Sequence, residues 1–525
     1  MTKTISVAAL HELMQSDTPS ALFDVRELGE AEAGQILGAT FLPRRMIEFR
    51  IADLVPVRAT QIVVYDEGGA RAAAAAATLA ELGYSDVSVL DGGTAAWVAA
   101  GHALTEGSNV PSKLFGEKVH DQEHTPGISA KTLEEWQRNG KPVLVCDIRT
   151  PEEYARSRIP GAYSTAGFDV GLCMPDLAQR SVPVVVNCAG RTRSIIACET
   201  LRLLGMKDTY ALENGTMGWV LAEFKLEKGE GAGAILPTPV ARAAAHDTAV
   251  ALARSIGVAF ADPRQVGEWL ARRDRGEANV YAFDARQTGE YDAGHIEGTA
   301  ILPGALAVQR TDEFMPVRQG QVVFIDDDET RAAIAAYWLR RVGLPNVAVL
   351  QGGIAAWTNA GFKLTTGRSR RPPLGLRPAS AQAASITPQA LEATMRDSAP
   401  VIINVDTSAE FAKAHVAGSS WIPRGWLEQR IGALVPDREA AIIVTCRDGQ
   451  QSLFAAATLA RLGYRNARAL AGGVKAARDL PMEQGPDAAA AEAKDIILPP
   501  YAKGEAGMRR YLEWETKLLT LAHQR

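Results

Sequence analysis

The sequence predicts an α/β protein of four tandem modules, each a small parallel sheet flanked by helices, followed by a C-terminal helix. Three observations predict it. At 525 residues and roughly 150 residues per domain, the chain has room for three or four domains, each with its own core. One strand, loop and helix block recurs four times along the chain. Within each block, glycines fall at fixed offsets from the loop.

Each block opens on a short apolar strand ending in an acid: Ala21 to Asp24, Leu144 to Asp147, Tyr281 to Asp284 and Ile402 to Asp406. A second strand follows in each, Gln61 to Tyr65, Val184 to Asn187, Gln321 to Ile325 and Ala441 to Thr445, running into a loop whose first residue is Asp66, Cys188, Asp326 or Cys446. Seventeen positions further on stands Gly83, Gly205, Gly343 or Gly463, where a helix should end in a left-handed cap. Ten more bring Gly93, Gly215, Gly353 and Gly473, at the turn after the next strand. Strands alternating with helices of this length read as a parallel sheet covered on both faces. The loop starts are 122, 138 and 120 residues apart, and Asp alternates with Cys, so the pattern reads as a two-module unit duplicated whole. The expected modules span 1–112, 120–230, 248–368 and 380–482, with a helical tail at 486–525. A linker is expected at the Gly/Ala/Pro-rich Gly229 to Asp247, and other module boundaries near Ser112 to Thr125 and the Arg/Pro-rich Arg368 to Ser380. Gly504 to Gln524 reads as a helix that packs on the body through Tyr511, Trp514, Leu518 and Leu519.

Composition narrows the function classes. Hydrophobic residues at 47% and charged residues at 22% are globular proportions, and a net charge of -5 gives no electrostatic reason to expect nucleic acid as partner. The start, Met1 to Leu13, lacks the apolar core of a secretory signal, and the most apolar run, Ala72 to Ala80, falls short of the ~20 residues that cross a bilayer. No membrane partner is expected. Five cysteines (Cys146, Cys173, Cys188, Cys198, Cys446) form neither a disulfide framework nor a zinc pattern, so a reducing cytoplasm, no metal and no cofactor are the expectation.

The second loop, Cys188-Ala189-Gly190-Arg191-Thr192-Arg193-Ser194, carries the chemistry. A cysteine between a strand end and a helix N-terminus meets unpaired backbone N–H groups, which favour the thiolate. Arg191 and Arg193 add positive charge, and Gly190 allows the backbone to curl into an anion-binding nest. Cys146 and Cys198, on an apolar strand and helix, read as core residues. Cys173 lies in a segment without clear periodicity that could border the site.

Three motifs together resemble the rhodanese family of sulfurtransferases from about residue 5 to 480. The first is Asp147, Arg149, Glu153 and Tyr154. The second is the turn Gly294-His295-Ile296-Glu297-Gly298, varied at His415 to Gly418, Arg158 to Gly161 and Gln35 to Gly38. The third is the active loop followed by Gly-Gly-type turns ending at Trp97, Trp219 and Trp357, with Ala477 in the fourth copy. The resemblance implies that Cys188 takes a sulfane sulfur from a small-molecule donor such as thiosulfate and passes it to a small acceptor or a protein thiol. It implies that Arg193 closes the loop and that Arg149 reaches the donor, with Arg191, Gly190 and Thr192 completing the binding loop. It also implies that an inactive first module walls the active site of the second. The histidines and tryptophans of the motifs read as structural.

Four residues separate Cys188 from Arg193, one fewer than in the cysteine phosphatases and arsenate reductases of related architecture, a ring suited to one sulfur atom. A carrier or binding scaffold with little turnover is the alternative of a different class. In the fourth module, Cys446, Arg447 and Gly449 form a possible second site, but Gln451 replaces the closing arginine, Ser408 stands for the Asp-x-Arg arginine, and Asp448 adds negative charge. Asp66 and Asp326 cannot carry sulfur, so modules one and three are expected to be inactive. The run Asp326 to Glu329 reads as an acidic loop rather than a metal cluster.

Overall fold

The computed structural model describes residues 3–229, 231–368 and 371–523, with the side chains of 521–523 left aside. The expected limits Met1 and Glu230 and the helix end Gln524 lie outside the described residues.

Four five-stranded sheets are present, and all four have the same strand order, first-fifth-fourth-second-third within the module, with every pair parallel. In the second module the strands are Gly127–Ile128, Thr209–Leu212, Val184–Asn187, Leu144–Asp147 and Tyr163–Ser164. Leu144–Asp147 and Val184–Asn187 are buried along their whole length, as strands covered by helices on both faces must be. Their register pairs Asp147 with Asn187, which sets the first acid beside the residue preceding the loop. Trp97, Trp219 and Trp357 anchor the module cores, each indole N–H donating to a carbonyl six residues on. His295 and His415 are structural: each ring stacks on the aromatic four residues earlier and bonds that residue's carbonyl.

The second fixed glycine has a steric reason. A β-carbon on Gly215 would lie 2.2 Å from the Cys188 carbonyl oxygen, and the same oxygen accepts the Thr216 N–H at 2.9 Å. Gly93, Gly353 and Gly473 sit equally close to their own loops, at φ between 56° and 64°. The turn after the last strand therefore clasps the loop in every module.

Three expectations are corrected. The segment taken as a linker, Gly229 to Asp247, runs into helix Pro239–Ser255, and the first boundary carries helix Val110–Glu123. Helix Pro239–Ser255 buries Ala241, Ala245, Ala249 and Ala253, an alanine stripe at i, i+4 spacing that packs on helix Thr330–Val342. The modules also do not associate as one with two and three with four. The chain forms two compact units, Met1–Ser108 with Arg370–Leu498, and Asn109–Ser369 with Pro499–Arg525.

The first unit joins modules one and four. Arg424 pairs with the buried Glu48, Arg44 with Glu428 at 3.0 Å, and Gln451 donates to the Arg45 carbonyl at 3.0 Å. The second unit joins modules two and three and takes in the terminal helix Gly504–His523. Here Trp338 donates to the Thr200 hydroxyl at 2.8 Å, Gln287 donates to the Asp169 carboxylate at 2.9 Å, and the Phe168 ring packs on Gly304. The wall of module two is thus module three, not module one.

Finally, the fourth module is aligned differently from its sequence reading. Asn404 pairs with Thr445 as Asp147 pairs with Asn187, and the Asp406 N–H bonds the Asn404 side chain as the Arg149 N–H bonds Asp147. The position of Arg149 is therefore taken by Asp406, not Ser408.

Candidate active site

The four loops can be compared within one molecule. In module one, the Asp66 carboxylate accepts the backbone N–H groups of Gly68 (3.0 Å), Gly69, Arg71 (2.7 Å) and Ala72 (3.1 Å). In module three, Asp326 accepts those of Asp327 (2.8 Å) and Arg331 (2.7 Å). In module four, Cys446 Sγ accepts those of Gly449 (3.2 Å) and Ser452 (3.3 Å). Each of these three loops is a backbone cradle for an anion at its first position, and the two aspartates fill their own cradles.

Left-handed backbone at the fourth loop residue accompanies this: Gly69, Glu329 and Gly449 have φ of 105°, 70° and 87°. In module two the fourth residue is Arg191, at φ -121°. Among the described residues, Cys188 Sγ has a single hydrogen-bond partner, the Ser194 hydroxyl at 3.5 Å. The amide nest expected around Cys188 is absent from this conformation. Cys188 is buried, 2% exposed.

Arg191 is not aimed at the sulfur. Its Nε and Nη2 donate to both oxygens of Glu117 at 2.7 and 2.8 Å, a bidentate pair that ties the loop to helix Val110–Glu123. Gly190 does not take a left-handed conformation; it makes room, since a β-carbon there would meet Met217 at 3.0 Å, Glu515 at 3.4 Å and Tyr511 at 3.5 Å. Thr192 donates its hydroxyl to Glu515 Oε1 at 2.7 Å. The terminal helix, expected only to pack on the body, thus lies directly on the loop.

Arg193 is buried and makes a two-pronged bond to Glu153 at 2.9 and 3.1 Å, close enough to Cys188 for their charges to interact. Burial pushes the Glu153 carboxyl upward, but Arg193 outweighs it and holds the group below the ordinary range. The same pair recurs as Arg71 with Glu30 and Arg331 with Glu290. Arg193 also lines a cleft of about 190 Å³ between Thr150 to Glu152 of module two and Gln287, Pro303 and Leu306 of module three.

Arg149 bonds the buried Asp147 through Nε and Nη2, and Nη2 also donates to the Ser157 carbonyl. Its counterparts point Nη1 at the second loop residue: Arg286 to Asp327 at 2.9 Å and Arg26 to Glu67 at 3.7 Å. In module two that residue is Ala189, which offers Nη1 no acceptor.

In module four, Cys446 is held by its amides. Arg447 is exposed and 3.6 Å from Glu410, and Gln451 turns toward Arg45. Burial and then the Asp406 charge push the thiol up to about 11, while burial raises the Asp406 carboxyl to about 6. Cys146, Cys173 and Cys198 are buried, which raises each thiol to about 12. Cys173 bonds the Ile235 carbonyl and does not border the loop cleft. No group of histidine, cysteine and acidic side chains suited to a metal ion occurs among the described residues.

Fold and site together define a tandem array of α/β modules whose loops open on a thiol in two copies and on a carboxylate in the other two, with the carboxylates and one of the thiols, Cys446, held by loop N–H groups. The rhodanese-like domain model matches residues 6–100, 129–222, 266–360 and 387–479, and the chain belongs to that family. A crystal structure of thiosulfate sulfurtransferase from Pseudomonas aeruginosa aligns with a TM-score of 0.90 and 34% identity, over 99% of this chain and 97% of that one. Among curated proteins, the putative thiosulfate sulfurtransferase SseB of Mycobacterium tuberculosis is 37% identical over 73 residues, 14% of this chain and 26% of the relative. The tRNA uridine(34) hydroxylase of Xylella fastidiosa is 31% identical over 120 residues, 21% of this chain and 45% of the relative. The chain therefore spans less than half the length of these curated relatives.

Proposed function

We propose that the protein is a sulfurtransferase that moves a sulfane sulfur from thiosulfate or a similar donor, through a persulfide on Cys188, to a thiophilic acceptor such as cyanide, a small thiol or a protein thiol. The observation that carries this reading is the likeness, over nearly the whole of both chains, to the P. aeruginosa thiosulfate sulfurtransferase. The choice of Cys188 follows from its neighbours. It is the loop cysteine with an arginine five residues on and an Asp-x-Arg arginine whose Nη1 has no loop carboxylate to bind. In the reaction the Cys188 thiolate attacks the outer sulfur of thiosulfate, the S–S bond breaks, and sulfite leaves with the bonding pair. Cyanide then takes the outer sulfur and returns the thiolate. Arg149 and Arg193 serve the sulfonate end and the departing sulfite. The chemistry calls for no cofactor, and a reducing cytoplasmic setting suits it. No helix among the described residues is long and apolar enough to cross a membrane.

Cys446 is a candidate second site, favoured by its two amide contacts and by Gly449. With Asp406 in the arginine position and Asp448 and Glu410 nearby, that site disfavours a dianionic donor. In a thiosulfate and cyanide assay, Cys188→Ser should lose nearly all thiocyanate formation and Cys446→Ser should change it little. The reverse result would move the main site to module four. Full labelling of Cys188 without turnover would instead favour a carrier role.

A further inference from the structure

Modules two and four allow a matched comparison of the loop cysteine. Each sulfur meets a serine hydroxyl six residues on, Cys188 with Ser194 at 3.5 Å and Cys446 with Ser452 at 3.4 Å. Each serine hydroxyl also donates to the carbonyl of the fourth loop residue, Arg191 at 2.8 Å and Gly449 at 2.9 Å. The two loops part at the amides. Cys446 accepts the N–H groups of Gly449 and Ser452, whereas the matching N–H groups of Arg191 and Ser194 make no hydrogen bond to Cys188 among the described residues. The backbone of the fourth residue is the difference, with φ at 87° in Gly449 and at -121° in Arg191.

The Arg191 side chain accounts for that backbone. Nε and Nη2 donate to the two oxygens of Glu117, a buried residue of helix Val110–Glu123, and so tie the loop to a neighbouring element. The helix lies hard against the loop, since a β-carbon on its Gly116 would stand 2.8 Å from Thr192 Cγ2. The fourth residues of the other three loops, Gly69, Glu329 and Gly449, carry no cation that could be held in this way, and all three turn left-handed. Glu117 lies outside the segments that match the family model. In the conformation it imposes, the Cys188 sulfur is buried without an amide donor, a poor setting for a thiolate or an anionic persulfide.

We propose, on the reading of Cys188 as the sulfur carrier, that Glu117 is a positioning residue acting through Arg191: the pair latches the module-two loop in a resting form, and an anionic donor releases it by taking Arg191 from Glu117. Arg191 exchanges one anion for another and keeps its charge-assisted bonds, while the freed loop turns its N–H groups to the sulfur as module four does. The donor's apparent affinity is lowered by the fraction of loops that are latched.

The test compares the two half-reactions of full-length protein with the reactivity of the free thiol. Glu117→Gln should raise kcat/KM for thiosulfate by roughly tenfold, the scale of one hydrogen bond to a charged group. It should leave kcat/KM for cyanide, which meets a loop already turned, within about twofold of the parent. Without donor, alkylation of Cys188 by iodoacetamide at about pH 7, read by mass spectrometry, should rise by a similar factor, because the uncharged reagent reports on the loop alone. Glu117→Gln with Arg191→Gly removes both charges, strands no ion and lets the fourth residue turn as Gly449 does. This double variant should raise alkylation as much, while the gain for thiosulfate is lost with the cation. If both half-reactions fall together in Glu117→Gln, Glu117 is only a brace and the latch is refuted; unchanged alkylation in both variants refutes it as well. Faster alkylation in Glu117→Gln without a gain for thiosulfate overturns the exchange with the donor. Thiocyanate formation that survives in Cys188→Ser overturns the assignment of Cys188 instead.

Discussion

The Nη1 of Arg149, which makes no hydrogen bond among the described residues, can be tested by giving it the partner its counterparts have. Ala189→Asp places a carboxylate at the loop position where Asp327 meets Arg286 at 2.9 Å and Glu67 approaches Arg26 at 3.7 Å. The new aspartate should pair with Arg149 and remove one charge-assisted hydrogen bond from an anionic donor, about 1.5–3 kcal/mol. It also sets a negative charge beside a dianion, about 4 kcal/mol per unit charge at 4 Å and an effective dielectric of 20, reduced by screening because Ala189 is half-buried. A combined loss of about 3–5 kcal/mol corresponds to a fall of roughly 10²- to 10⁴-fold in kcat/KM for thiosulfate. Ala189→Asn, which offers an acceptor without charge, should fall by roughly tenfold. Both variants should keep the parent's stability to within about 0.5 kcal/mol, as surface changes do. Initial rates of thiocyanate formation at saturating cyanide measure the effect. If Ala189→Asp stays within about threefold of the parent, Arg149 does not bind the donor and serves only to neutralise Asp147.

Two further outcomes concern stability. Gly215→Ala combines φ 52° with a contact of 2.2 Å to the Cys188 carbonyl oxygen; it should cost about 3 kcal/mol in chemical denaturation and abolish transfer by displacing the loop. Asp406, raised by burial to about 6, holds its proton more tightly folded than unfolded, so its contribution is most favourable below about pH 4 and is lost as pH rises through 6. Asp406→Asn should therefore match the parent near pH 4 and exceed it by about 2 kcal/mol at pH 7; a difference that does not change with pH would refute the assignment.

The modules were legible because their glycines answer to backbone contacts that repeat in each copy, such as the approach of Gly215 to Cys188. The fourth module misled because Asp406 ends an apolar run and imitates Asp147. The better guide is the helix cap, since Thr407 with Glu410 matches Thr150 with Glu153 and gives the register found. Module pairing left no such mark: it depends on surfaces assembled from distant segments, as when Arg424 meets Glu48. The alanine stripe from Ala241 to Ala253 was visible in the sequence but was masked by flanking glycine and proline. Thr192 and Glu515 stand 323 residues apart, and no local motif could join them.

The nested order of the two units has a consequence for the nascent chain. Module one leaves the ribosome before its partner, which is encoded beyond the whole stretch 109–369. At ~5–20 residues per second, translation of that stretch takes on the order of tens of seconds. Through that interval the side chains that meet module four, among them Phe49 and Glu48, lack their partners Phe454 and Arg424. Chaperone engagement during synthesis should therefore fall on module one.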